Sequence, residues 1–332
     1  MRAQILYTPK RVQEQPLQLT EIETPVPRAN EIRIRISACA VCHTDLHICE
    51  GEIHPPQMPI VPGHQIVGVV EMRGTNAARF EIGTRVGVPW LNWIDADCKW
   101  FGTDRENLCD NIRFTGFDTN GGYAEFICVD ENFAYALPEN FSDEHIAPLL
   151  CAGVIGYRAL RLSEITRGET IGLFGFGASA HIVLQIARHW QKRVLVFTRS
   201  PLHQQHAREL GAEWVGDGND TPPRKLDSAI IFAPVGDLMV RALALSARGA
   251  TIVHAGVHAS PIPSFDYNLL YHERTLRSAA NSTRRDVIEL LSLAAQIPIH
   301  TETTLYPFAD ANRALQDVKH SRVNGAAVLQ LH

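Results

Sequence analysis

The feature that most constrains the fold is an alternation of strand and helix patterns after residue 151. An apolar strand at Thr170 to Phe174 precedes a helical pattern at Ala178 to Trp190, and further strands follow at Arg193 to Phe197 and Ala229 to Phe232. The remaining elements here are a helix at 201–210, a strand at 214–215, a helix at 237–246 and a strand at 251–253. Strands and helices at this spacing form doubly wound parallel sheets. The pattern therefore predicts an α/β domain.

A glycine-rich turn joins the first of these strands to its helix. Gly175-Phe176-Gly177-Ala178-Ser179-Ala180 fits the pattern G-x-G-x-x-G/A. The pattern alone is weak, but the strand before it and the helix after it supply the context of a dinucleotide site. The glycines allow a tight turn and close approach of a pyrophosphate, and the helix N-terminus offers unpaired N–H groups. The turn predicts a dinucleotide cofactor.

The end of the next strand bears on which dinucleotide binds. A carboxylate there would accept hydrogen bonds from the adenosine ribose, but Thr198, Arg199 and Ser200 occupy this position. An arginine and two hydroxyls suit a 2′-phosphate. The alternative is that Arg199 stacks on the adenine or is only solvated. The sequence favours NADP over NAD.

The segment before Cys151 has a different sequence pattern, which predicts short strands separated by turns. Residues 32–37 alternate apolar and polar side chains, 66–70 and 85–88 are further strand patterns, and prolines interrupt the chain between them. The last fifty or so residues contain a helix at 285–295, a second helix ending near His320 and a closing strand at 327–329. Because this tail is too short to bury its own core, we expect it to join the first domain.

Composition narrows the class of partner. A net charge of −5 gives no electrostatic case for nucleic acid or an anionic membrane. No stretch approaches the roughly 20 apolar residues of a membrane span, and no signal-peptide core is present. Small-molecule partners and a cytoplasmic location are expected. Seven cysteines, an odd number spread along a long chain, argue against a disulfide scaffold and, with nearby histidines, indicate a metal.

Cys42, His64 and Cys151 are the candidate metal ligands. Two thiolates and one imidazole suit zinc and leave a fourth position open for water or substrate. Spacings of 22 and 87 residues are too wide for a zinc finger, so the three must converge through the fold. Taken singly, each could equally be a buried core residue.

Several ordered blocks carry a resemblance to a known family. They are Cys42-His43-Thr44-Asp45-Leu46-His47, Pro62-Gly63-His64-Gln65, Gly83-Thr84-Arg85-Val86, Gly121-Gly122-Tyr123-Ala124-Glu125 and Leu150-Cys151-Ala152-Gly153. Over nearly its full length the chain resembles the zinc-containing medium-chain alcohol dehydrogenases. The resemblance implies a discontinuous GroES-like catalytic domain at 1–151 and 281–332, with a Rossmann dinucleotide-binding domain at 152–280 between its two parts.

The same resemblance implies roles for the residues of the first block. Cys42, with His64 and Cys151, would hold a catalytic zinc that lowers the pKa of an alcohol, so that an alkoxide can release hydride. Thr44 would accept the substrate proton and relay it through cofactor hydroxyls to His47 at the surface, although local hydrogen bonding at a helix start would also explain both residues. Asp45 would orient His64 through its other ring nitrogen. His43 would reach the pyrophosphate. Cys39 is expected to point from a strand into the core.

The resemblance also implies which residues line the substrate pocket. Trp90 resembles an aromatic wall, and Ile53 stands where a narrowing aromatic occurs in relatives that prefer ethanol. The zinc-binding histidine is followed by Gln65 instead of the usual glutamate, which removes a negative charge near the metal. We expect this change to favour the alkoxide modestly.

Two further departures concern the structural-zinc lobe and the cofactor. The family's C-x2-C-x2-C-x7-C pattern is here Asp95, Cys98, Phe101 and Cys109, a poor ligand set. The lobe is therefore predicted to be free of metal and packed by Phe101, Trp93 and Trp100, which leaves one zinc per subunit. Ala326 replaces an arginine that often contacts the pyrophosphate.

The sequence thus predicts a zinc- and NAD(P)-dependent alcohol dehydrogenase or aldehyde reductase. The alternatives are a zinc-free quinone or enone reductase on the same plan, or a non-catalytic cofactor-binding subunit. A homodimer or homotetramer is implied by the resemblance alone.

Overall fold

A computed structural model of the chain describes residues 1–323 and 325–331. The chain divides into two compact units. One contains Met1–Cys151 together with the segment from Thr283 onward, and the other is Ala152–Ser282. None of the helices in the described ranges combines the length and apolarity that a membrane crossing needs.

The secondary structure is numbered in chain order. The strands are β1 (Arg2–Leu6), β2 (Leu17–Glu21), β3 (Glu31–Val41), β4 (Ile66–Arg73), β5 (Arg85–Val88), β6 (Leu91–Ile94), β7 (Ile112–Phe114), β8 (Phe126–Asp130), β9 (Tyr135–Ala136), β10 (Thr170–Phe174), β11 (Arg193–Phe197), β12 (Trp214–Gly216), β13 (Leu226–Ile231), β14 (Ser246–His254), β15 (Thr275–Ser278), β16 (Thr303–Pro307) and β17 (Ala326–Gln330). The helices are α1 (His43–Glu50), α2 (Asp143–Ile146), α3 (Ala152–Leu162), α4 (Ala178–His189), α5 (Pro201–Glu209), α6 (Asp237–Leu245), α7 (Arg284–Ala294) and α8 (Ala311–Lys319).

The first unit is built around strand β3. Its sheet has the order β16-β17-β3-β4-β5-β9, and β8 also pairs with β3. Ile32, Ile34 and Ile36 are fully buried, as the period-two alternation of β3 requires. Cys39 is also fully buried and lies opposite Ile66 of β4 and Leu329 of β17, so the prediction that it is a core residue is confirmed. Strand β3 ends one residue before Cys42, and the sheet therefore fixes the position of that thiol.

The second unit contains the predicted parallel sheet. Its strands run in the order β12-β11-β10-β13-β14-β15, and every neighbouring pair is parallel. All five residues of β10 are buried, which is typical of a parallel strand covered on both faces. Helix α4 begins directly after the glycine-rich turn and ends at His189, one residue before the predicted end. The sequence did not predict helix α3 or the edge strand β15.

The lobe at 95–111 differs from its prediction. Cys98 and Cys109 form a single disulfide bond, which the sequence did not predict. Phe101 was expected to pack inside the lobe, but it is 41% exposed and lies under the guanidinium of Arg284, 5.0 Å from its ring centroid. Trp93 and Trp100 are partly buried against the core, as expected. Two cysteines 11 residues apart are thus crosslinked to each other.

Candidate active site

The first turn of α1 fixes the orientation of Cys42. The residue is the N-cap of the helix and has an extended backbone. Its Sγ accepts a hydrogen bond from the backbone N–H of Thr44 at 3.3 Å, while its own N–H donates to the carboxylate of Asp45 at 2.9 Å. These reciprocal bonds form a capping box, which ties both side chains to the helix start. Local sequence therefore determines where this sulfur points.

Three donor atoms converge at this point. His64 Nε2 lies 3.4 Å from Cys42 Sγ and 3.4 Å from Cys151 Sγ. His64 comes from the loop before β4, and Cys151 follows the 3-10 turn Ala147–Leu150. All three donor atoms lie within 4.8 Å of one another, and no other group of this kind occurs among the described residues. Fold topology therefore assembles a Cys-His-Cys cluster from residues far apart in sequence.

Asp45 sets the tautomer of His64. Its Oδ1 accepts a hydrogen bond from His64 Nδ1 at 3.0 Å and another from the backbone N–H of Gly63 at 3.2 Å. Both side chains are almost completely buried, at 0% and 1% exposure. With the Nδ1 proton held by Asp45, Nε2 is the nitrogen that His64 can offer to a metal ion between the two sulfurs. This arrangement is typical of a metal-binding histidine supported by a carboxylate.

The electrostatics of the cluster favour a cation. Burial lowers the pKa of His64, but the charges of Asp45 and Cys42 more than offset this and raise it to about 10. The pKa of the Cys42 thiol is also raised, first through its hydrogen bond with Cys151 and then through burial. Two adjacent sulfurs cannot both ionise without a positive charge between them. A divalent cation provides that charge, and two thiolates with one imidazole suit zinc.

Proton-transfer candidates lie along α1. Thr44 is partly buried and His43 is exposed. The Nδ1 of His47 lies 2.5 Å from a carboxylate oxygen of Glu52, a contact that was not predicted. Glu52 follows the helix without any motif, so the sequence offered no signal for it. Gln65 is buried, its backbone carbonyl accepts a hydrogen bond from Ala40, and its side-chain Nε2 has no partner within the described residues.

Aromatic rings lie beside the cluster. Trp90 meets His64 edge to face at a centroid distance of 4.7 Å and stacks on Phe114 at 5.0 Å. Phe117 is 5.9 Å from Trp90. Sequence reasoning missed both phenylalanines, because they lie in a segment without periodicity. Ile53 is partly buried and packs against the core of the first unit.

The glycine-rich turn leaves space at its second glycine. Gly175 has φ +88°, and a Cβ there would lie 3.0 Å from the backbone nitrogen of Ala233. A Cβ on Gly177, the N-cap of α4, would meet no atom within 4 Å. Gly175 is therefore required by the fold, whereas Gly177 leaves room at a helix N-terminus, where an anion is stabilised. Phe176 between them is buried.

The end of β11 presents one charged side chain to solvent. Arg199 is exposed, whereas Thr198 is buried and its backbone carbonyl accepts a hydrogen bond from Gln204. Ser200 caps α5 by accepting a hydrogen bond from the backbone of His203. In the other segment proposed to contact the cofactor, Ala178 and Ser179 at the start of α4 are partly buried. No carboxylate side chain occurs between residues 197 and 208.

Comparisons with known proteins agree with this arrangement. Residues 28–139 match the alcohol dehydrogenase GroES-like domain. A probable alcohol dehydrogenase AdhA of Mycobacterium tuberculosis is 42% identical over 95% of this chain and 92% of its own length. An NADP(H) complex of a Helicobacter pylori enzyme abbreviated CAD has the same fold, with a TM-score of 0.86, 24% identity and coverage of 99% of both chains. A cobalt- and zinc-bound thermostable alcohol dehydrogenase from Pyrobaculum aerophilum also has this fold, with a TM-score of 0.89 and 23% identity. The match covers 100% of this chain and 99% of the other.

Proposed function

Because the chain belongs to the zinc-containing medium-chain alcohol dehydrogenase family, we propose that it transfers hydride between an alcohol and NADP at the Cys42, His64 and Cys151 cluster. The observation that carries this proposal is the convergence of the three donor atoms within 4.8 Å. The aldehyde and NADPH are the partners in the reverse direction.

Cys42, His64 and Cys151 are the residues that would hold zinc. When bound there, the ion supplies Lewis acidity that favours the deprotonated alcohol or polarises a carbonyl. Asp45 keeps the imidazole of His64 in the tautomer that ligation requires. Trp90, which contacts His64 edge to face, shields one side of the cluster and offers an apolar surface for the substrate. Ile53 is proposed to border the same pocket.

Proton movement is proposed to follow α1. The Thr44 hydroxyl would accept the proton of the alcohol while it releases its own proton toward His47, which would deliver a proton to solvent. Because Glu52 accepts the Nδ1 proton of His47 at 2.5 Å, Nε2 is the nitrogen that takes up the transferred proton. His43, exposed one residue before Thr44, is proposed to contact the pyrophosphate of the cofactor.

The cofactor is proposed to bind to the unit Ala152–Ser282, as its dinucleotide-binding domain. The segment Gly175–Ser179 would receive the pyrophosphate, because Gly177 leaves its space open. Thr198 and Arg199 would receive the 2′-phosphate of NADP, since an exposed guanidinium stands there without a competing carboxylate.

The test is a comparison of kcat/KM with NADPH and with NADH over a panel of aldehydes, before and after treatment with a chelator. We expect higher kcat/KM with NADPH and loss of activity after chelation. Arg199→Ala should lower kcat/KM for NADPH by roughly tenfold or more with little change for NADH, because a charge-assisted contact is lost. Arg208→Ala, an exposed arginine of α5, is the control.

Two results would contradict parts of the proposal. Equal use of both cofactors by the wild type and Arg199→Ala would exclude NADP selection by Arg199. Full activity after complete removal of zinc would instead indicate a zinc-free reductase. Sedimentation equilibrium would measure whether the proposed homodimer or homotetramer forms.

A further inference from the structure

Three histidines gather beside the glycine-rich turn in the second unit. His181 lies in the first turns of α4, and His203 and His206 lie three residues apart on α5. The ring centroid of His181 is 4.5 Å from that of His206 and 6.1 Å from that of His203. None of the three has a role in the proposed hydride transfer. All three are partly exposed, so a solute ion can reach them.

One of the rings already has the outer hydrogen-bonding partner typical of a metal ligand. Nε2 of His181 lies 3.2 Å from the backbone carbonyl oxygen of Phe176 and must donate to it, which leaves the lone pair on Nδ1. Nδ1 of His206 lies 3.7 Å from a carboxylate oxygen of Glu209, which is longer than a hydrogen bond but favours a proton on that side of the ring, so Nε2 is the nitrogen proposed to ligate. Metal-bound histidines usually direct their second nitrogen at a carbonyl or a carboxylate in this way.

The rings of His181 and His203 are also ready to ligate at neutral pH. Burial, together with the neighbouring His206 and His203, lowers the pKa of His181 to about 3. Burial and His206 likewise lower the pKa of His203. Protons therefore do not compete with a metal for these two lone pairs near pH 7.

We propose that His181, His203 and His206 form a second metal site, which binds a divalent transition-metal ion such as Zn²⁺ or Ni²⁺. Imidazole suits these ions. Two imidazoles on one metal, each about 2 Å from it, have centroids roughly 5 Å apart, close to the spacing found here. The donor atoms are not yet gathered, because only the Cys42 cluster has that geometry among the described residues. The rings of His203 and His206 close on the ion by rotation about χ2, a soft torsion for histidine, while His181 keeps its hydrogen bond to Phe176.

Binding of an ion here would act on the glycine-rich turn. His181 holds the carbonyl of Phe176, the residue between Gly175 and Gly177. An ion bound to Nδ1 fixes the ring and thereby strengthens the hold on that carbonyl. The site is thus placed where a metal ion can modulate the segment proposed to bind the cofactor.

The experiment is a Ni²⁺ titration of the protein loaded with one zinc per subunit, followed by dialysis and counting of nickel and zinc by plasma mass spectrometry. The wild type should retain one Ni²⁺ per subunit without losing zinc. His206→Ala and His203→Ala should each weaken Ni²⁺ binding by roughly tenfold or more. His189→Ala, an exposed histidine at the end of α4, is the matched control and should bind Ni²⁺ like the wild type.

Thermal unfolding of each variant in the absence of Ni²⁺ checks that its fold is intact. The use of two variants keeps the test decisive if one of them folds poorly. The proposal is overturned if the wild type retains no Ni²⁺, if nickel is gained only as zinc is lost, or if both folded variants bind Ni²⁺ as tightly as the control.

Discussion

Asp45 and His64 form a fully buried pair in which the carboxylate accepts the Nδ1 proton of the imidazole at 3.0 Å. The same carboxylate caps α1 through the backbone N–H of Cys42. One side chain therefore links the helix that carries the first sulfur to the ring that carries the nitrogen donor.

Replacing the carboxylate tests whether the pair supports metal binding. Asp45→Asn keeps the shape and one acceptor oxygen but removes the charge that holds His64. We expect zinc affinity to fall by roughly 10- to 100-fold, as for other supporting partners of metal ligands. Competition with a chelator measures this, and Asp97→Asn, an exposed aspartate, is the control. Unchanged zinc affinity in Asp45→Asn would show that the pair serves only to cap the helix.

The two glycines of the turn should respond differently to alanine. Gly175→Ala places a Cβ 3.0 Å from the backbone of Ala233 at a positive φ, so the free energy of unfolding should fall by about 1 kcal/mol or more. Gly177→Ala meets only open space, so stability should change little while dinucleotide affinity falls. Urea unfolding and fluorescence titration with NADPH separate the two effects. Normal NADPH affinity in Gly177→Ala would mean that the pyrophosphate does not bind there.

The disulfide should stabilise the lobe at 95–111. Denatured protein should expose five alkylatable thiols without reductant and seven after reduction, because Cys98 and Cys109 are paired. A crosslink over so short a loop contributes about 3 kcal/mol at most. Reduction should therefore lower the Tm of the wild type by several degrees, and it should leave the Tm of the double variant Cys98→Ala/Cys109→Ala unchanged. Seven thiols before reduction would refute the pairing.

His254 should make stability depend on pH. It is buried at the end of β14, and burial lowers its pKa below the usual value near 6.5. The unfolded chain takes up a proton there first, so the stability that comes from keeping the ring neutral is complete above about pH 6.5 and is lost as pH falls. His254→Gln should lose less stability than the wild type between pH 8 and pH 5 in urea unfolding. Parallel losses in the two proteins would assign the effect to other groups.

Local hydrophobic patterns predicted much of the secondary structure. Features that depend on how distant parts of the chain meet could not be predicted in this way. The period-two pattern of β3 and the buried run of β10 follow directly from where their side chains must point. Helix α3 was not predicted, because Gly153 and Gly156 in its first two turns have a low helix propensity. The disulfide was missed because pairing depends on how the loop between Cys98 and Cys109 closes, which the spacing of the two thiols does not determine.

The site itself was predictable only in part. Nothing in the residues around Cys42, His64 or Cys151 taken singly separates a metal ligand from a core residue. Their convergence depends on β3, the loop before β4 and the turn before α3, which together bridge gaps of 22 and 87 residues. The resemblance to a family supplied that information, because ordered blocks imply a shared topology. Glu52 and Phe117 carried no such signal and became visible only in the structure.

The most direct test of the account is the zinc content of the wild type beside that of Cys151→Ser. The wild type should contain one tightly held zinc per subunit and oxidise alcohols. Cys151→Ser should lose the zinc and the activity together, because the donor set is broken, whereas Cys128→Ser, a free cysteine outside the cluster, should keep both. Retention of zinc and activity by Cys151→Ser would contradict the assignment of this cluster as the catalytic metal site.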